Sequence, residues 1–125
     1  MPSRLFQSRW TAIGWTIIIF LLMIMPPGNI PSQGLFGITH LDKLVHMFLF
    51  GGFVWLWYFY LKNNLKGPPS PNILKSIFLI SAFYGISMEF VQYFFTARSF
   101  DIWDIVADII GAGIAWGILS IRGKK

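Results

Sequence analysis

The chain contains no cysteine. Disulfides, thiolate metal sites and a cysteine nucleophile are therefore excluded. Charge is also scarce, at 12% of 125 residues, against roughly 25% in an average soluble domain. Negative charge is scarcest of all, with five acidic residues: Asp42, Glu89, Asp101, Asp104 and Asp108. With 55% of residues hydrophobic, a water-soluble fold is not expected. No internal repeat or low-complexity segment is evident, and there is no H-E-x-x-H, G-x-S-x-G or P-loop.

What is present is a series of long apolar runs. Trp10 to Met25 is the first, stopped by Pro26-Pro27, which cannot comfortably continue a helix. Further runs follow at 44–61, 73–95 and 102–121. Each approaches the ~20 residues that cross about 30 Å of hydrocarbon, the first two being slightly short. Backbone groups in hydrocarbon must be satisfied internally, so helices are expected. The expected fold is all-α: one polytopic membrane domain over residues 1–125, with four transmembrane helices at about 10–27, 44–61, 73–95 and 102–121. The first run lacks a small-x-small cleavage site and exceeds the usual signal-peptide core, so it is expected to remain as a helix.

The few charges are sorted by side. Arg4, Arg9, Lys62, Lys66, Lys75, Arg122, Lys124 and Lys125 fall at one set of helix ends, against Lys43 and Arg98 at the other. Lys and Arg are retained on the cytoplasmic side, so both termini are expected there. The same rule accounts for the pI near 9.8 without nucleic acid as a partner. Trp55, Trp57, Tyr58 and Tyr60 at inner ends, and Tyr93 and Trp103 at outer ends, suit an interfacial aromatic belt.

All five acids then collect at the outer ends. Asp42 and His46 share a helix face at i, i+4, as do Glu89 and Gln92 on the third helix. Asp101 is a plausible N-cap of the fourth, followed by Asp104 and Asp108. Glu89 and Asp108 each lie about 9 Å inside their helix ends. A carboxylate at a helix centre costs on the order of 3 kcal/mol and tends to face protein or a water-filled cavity. These two are expected to point inward, towards each other and towards His46, Lys43 or Arg98. Small residues every four positions, Ser81 and Gly85 on one helix and Ala107, Gly111 and Ala115 on the next, would let the backbones approach. Gly113 and Gly117 form a further pair that could serve a homo-oligomer. Asp101 and Asp104 could equally do no more than satisfy a helix N-terminus.

Together, Asp42-Lys43-x-x-His46, Glu89-x-x-Gln92, Arg98-Ser99, Asp104 and Gly111 resemble the signature of the VanZ-like family of small bacterial membrane proteins. The resemblance runs from about Asp42 to Gly117. It implies a multi-pass protein of the bacterial cytoplasmic (inner) membrane, a link to susceptibility to the glycopeptide teicoplanin, and no assigned reaction. By position it carries the family's recurrent polar residues onto Asp42, Lys43, His46, Glu89, Gln92, Arg98 and Asp104. One departure is Asp108, where such sequences usually have Asn. The resulting expectation is a ligand site made of these eight residues for a membrane lipid or lipid-linked cell-wall precursor at the outer leaflet. The alternatives are a membrane-embedded enzyme with His46, Glu89 and Asp108 as catalytic candidates, or an ion- or proton-handling protein. The balance is against an enzyme. No cofactor is expected, although Glu89, Asp104, Asp108 and His46 are suitable ligands for a divalent cation.

Overall fold

In the computed structural model, the described residues are 4–25, 41–96 and 99–123. They form a single 3-10 turn, Arg4–Gln7, and helices α1 (Arg9–Met23), α2 (Leu41–Asn64), α3 (Pro71–Phe95) and α4 (Ile102–Arg122). No strand occurs among them. α2, α3 and α4 are long and apolar enough to cross a membrane. α1 has 15 residues, about 22 Å of helix, so it falls short of that length and ends four residues before the expected Pro27. Met25 precedes a proline and is therefore pushed away from helical geometry. Residues 26–40 lie outside the described residues.

Local signals set the other ends. Ser70 caps α3 with its side chain, and Pro71 occupies a first-turn position where its missing N–H costs nothing. Asp101 caps α4 through the Trp103 N–H. α2 ends in a Schellman arrangement: the Gly67 N–H donates to Lys62 O at 3.0 Å and the Lys66 N–H to Asn63 O at 3.3 Å. The left-handed position in that motif usually holds glycine. Here it holds Lys66, with φ 59°, a conformation that costs a residue with a Cβ roughly 1–2 kcal/mol.

α2 and α4 pack most extensively, and glycine makes the approach possible. A Cβ on Gly51 would stand 3.0 Å from the Gly111 carbonyl oxygen, and one on Gly111 would collide with the Met47 backbone. Gly111→Ala should therefore force the helices apart. A loss at or above the usual 1–3 kcal/mol for overpacking is expected, measurable as reduced accumulation and earlier unfolding. Gly14→Ala, which lies in α1 and meets nothing within 4 Å, is the matched control.

α1 is fastened to α2 and α3 by apolar packing of Ile19 and Met23 and by three polar bonds. Trp15 Nε1 donates to Leu49 O at 2.8 Å, Trp57 Nε1 to Thr16 Oγ1 at 3.1 Å and Tyr84 Oη to Thr16 O at 2.7 Å. Trp57 is thus engaged by α1, and Tyr58 belongs to the buried core. Tyr93 and Trp103 of the expected aromatic belt are 53% and 66% exposed. The exterior is apolar, with Ile17, Phe48, Phe83, Phe94 and Ile114 turned outward. Buried polar groups, His46, Glu89, Gln92, Asp104 and Asp108, lie inside. That is the distribution of a chain whose solvent is hydrocarbon.

Candidate functional site

The first two turns of α2, the last two turns of α3 and the start of α4 meet at one end of the bundle. Their polar side chains form a connected network. Lys43 on α2 is its hub: its Nζ donates to Asp42 Oδ2 at 3.0 Å, Asp101 Oδ2 at 2.6 Å and Asp104 Oδ1 at 2.5 Å. An ammonium has three N–H donors, and three carboxylates take them. One turn deeper, His46 Nδ1 lies 2.7 Å from Asp108 Oδ1. With a carboxylate as partner, that ring nitrogen is the donor. Its Nε2 is 3.8 Å from Asp104 Oδ2.

Glu89 enters from α3. Its Oε1 accepts the Asp101 backbone N–H at 2.7 Å, and it is close enough to Asp104 and His46 to interact with both electrostatically. All five acids thus converge around one lysine and one histidine. Asp108 fits because residue 85 is glycine: a Cβ there would stand 2.7 Å from Asp108 Oδ2.

Asp101, outside the membrane-spanning segments, has a perturbed carboxyl. Burial pushes its pKa up, but the hydrogen bonds from Lys43 and the Trp103 N–H outweigh that and hold it below the ordinary range. Asp101 therefore does three things. One oxygen caps α4, the other binds Lys43, and its N–H holds Glu89. Reading it as an N-cap alone missed it as a site residue. The available signal was that a cap consumes only one of a carboxylate's two oxygens, leaving the second facing the lysine side of the bundle.

Among the described residues, two buried oxygens have no hydrogen-bond partner, Glu89 Oε2 and Asp108 Oδ2. Both residues are fully buried. Leaving such an acceptor unmet costs about 1–3 kcal/mol, more if it is charged, so each oxygen calls for a proton or an outside donor.

Of the eight residues singled out from the sequence, six lie in this network: Asp42, Lys43, His46, Glu89, Asp104 and Asp108. Gln92 lies apart, with its Nε2 donating to Met23 O of α1 at 2.8 Å. Arg98 lies outside the described residues. Among the described residues, no group of three or more His, Asp or Glu is arranged to hold a metal ion. His46, Glu89, Asp104 and Asp108 are gathered as hydrogen-bonding and ion-pairing partners.

Beside this closed cluster, an apolar groove of about 490 Å³ runs between α1, α2 and α4, within the ~300–1,000 Å³ of ordinary ligand pockets. Met47 and Gly111 mark one end of it, level with the His46–Asp108 pair, and Trp55 and Ile118 lie towards the other.

A family model described as VanZ/LLP1 matches residues 3–123. The chain is also similar to an uncharacterized protein of the fission yeast Schizosaccharomyces pombe, 36% identical over 74 residues. That stretch covers 59% of this chain and 43% of the yeast protein, so the chain spans less than half the length of this relative. No solved structure matches at a significant level.

Proposed function

The chain belongs to the VanZ/LLP1 family, and from that premise we propose that this multi-pass membrane protein binds the headgroup of a lipid or lipid-linked envelope molecule at its acidic end. The carrying observation is the pair of buried oxygens, Glu89 Oε2 and Asp108 Oδ2, that have no partner among the described residues. Five acids around one lysine favour a headgroup bearing amine or hydroxyl donors. Lys43 has its three donors committed to carboxylates, so in this proposal a phosphate would fall to Arg98, which the sequence places between α3 and α4. The apolar groove beside the His46–Asp108 pair supports the same reading, because it can take an acyl chain while the headgroup faces the acids. In this proposal α1 is a fourth, shorter span. Both termini lie on the Lys- and Arg-rich cytoplasmic side, and the acidic end faces the outer leaflet of a bacterial cytoplasmic membrane. A link to teicoplanin susceptibility follows from the family resemblance. Self-association would use Gly117, which faces open space, whereas Gly113 lies against Phe78 of α3.

The Asp108–His46 hydrogen bond favours one second reading. A buried carboxylate that orients an imidazole is the usual way to prepare a general base, so a membrane-embedded hydrolytic or transfer enzyme is the alternative.

Native mass spectrometry of protein gently extracted from its own membrane tests the proposal. Wild type should carry a specific lipid with an amine- or hydroxyl-rich headgroup. Glu89→Gln, whose amide oxygen can still accept from the Asp101 N–H, should fold but lose that lipid. Equal lipid retention by both would remove the headgroup reading.

A further inference from the structure

The opposite end of the helices carries a second, unrelated constellation. Arg122, in the last turn of α4, has its guanidinium 5.8 Å from the centre of the Trp55 ring. Lys62, in the last turn of α2, has its ammonium 5.7 Å from the centre of the Phe59 ring. The two rings are themselves 5.2 Å apart. Cation–π contacts of this kind hold a cation in place, so two like charges are fixed on neighbouring aromatic supports. Among the described residues neither has an acidic partner. The nearest acid along α4 is Asp108, about 21 Å away along the helix, more than twice the ~8 Å screening length at physiological ionic strength.

Space for an anion lies beside them. A cavity of about 450 Å³ is bordered by Gln7, Lys62, Asn63, Lys66 and Arg122. A smaller one of about 250 Å³ flanks Lys62 and Arg122 on the side of Tyr58 and Pro68. The third cation, Lys66, stands at the left-handed position closing α2, where glycine would be unstrained and where Gly67 follows immediately. Strained backbone tends to persist where the side chain is needed.

We propose that Lys62, Lys66 and Arg122 form a binding site for the phosphate of an anionic lipid headgroup in the leaflet at the basic end of this protein. Cytoplasmic retention of Lys and Arg and the helix dipoles explain why basic residues occur here. Neither requires that they converge on one cavity, stack on adjacent rings or occupy a strained turn. Basic pockets between membrane helices take anionic headgroups. A membrane lipid is favoured over a soluble phosphate because Phe59 lines both cavities, and because Leu5, Phe6 and Ile121 expose apolar side chains at the same end along which acyl chains can lie.

The test uses the purified full chain in a neutral detergent, titrated with phosphatidylglycerol or phosphatidylcholine and read by native mass spectrometry. Preferential retention of phosphatidylglycerol is expected, falling about tenfold or more in Lys62→Gln/Arg122→Gln. Lys66→Gly provides the separating control. It relieves the turn and should unfold no earlier than wild type, yet it should weaken the anionic lipid. Equal retention of the two lipids, or unchanged retention by both variants, would overturn the site. Displacement of the lipid by millimolar glycerol phosphate would overturn its assignment to a lipid.

Discussion

Lys43→Met should be among the most destabilising single substitutions in this protein. Methionine keeps most of the apolar stem but removes the ammonium shared by Asp42, Asp101 and Asp104. Asp42 and Asp101 are partly exposed, and water would screen much of their mutual repulsion. Asp104 is different, with a side chain only 6% exposed. Stranding a buried charge by removing its partner costs on the order of 3–5 kcal/mol, and most of the loss should come from this one pair. Unfolding in detergent should show it directly, and the second substitution identifies its source. In an Asp104→Asn background, Lys43→Met should cost far less, a non-additivity expected only of groups in contact. Lys43→Arg should be intermediate, because a planar guanidinium matches one carboxylate edge-on while this site asks for three converging donors. A loss below about 1 kcal/mol in Lys43→Met would place the pairs in the class of screened surface contacts. The ammonium would then be free to meet an anionic ligand.

The reasons why some of this was legible in the sequence and some was not are physical. Carboxylates in apolar helices cannot face lipid cheaply, so the position of Glu89 and Asp108 nearly dictates that they turn inward, and both are fully buried. Spacing likewise brings Asp42, Lys43 and His46 to one end of α2 with Asp104 and Asp108 opposite. Helical spacing was misleading for Gln92. A step of three residues turns a side chain by about 60° relative to Glu89, and on α3 that rotation separates the face towards α4 from the face towards α1. Glu89 therefore meets Asp101, while Gln92 meets Met23. The inner aromatics show a related difficulty. Trp57 bonds Thr16 and Tyr58 joins the core, partners that only the placement of the other helices reveals. The length of α1 was itself overestimated, since hydropathy runs on to the proline pair whereas the helix ends at Met23.

His46→Leu should produce the second large effect, for a reason specific to Asp108. That carboxyl is fully buried, one oxygen already lacks a partner, and the other depends on His46 Nδ1 at 2.7 Å. Removing the imidazole leaves an acid with no donor to either oxygen, again at a cost on the order of 3–5 kcal/mol if it stays ionised. Asp108→Asn should behave oppositely. It places a neutral amide at this position, and its carbonyl can still accept from His46, so a change within about 1 kcal/mol is expected. His46→Leu should also be much milder in that background. The pair of results separates structure from function. If Asp108 merely fixes the helix register, Asp108→Asn should resemble wild type in every assay. If the proposed headgroup site is real, Asp108→Asn should fold like wild type and still lose the co-purifying lipid, because the oxygen that lacks a partner in the folded chain is the one the substitution turns from acceptor into donor.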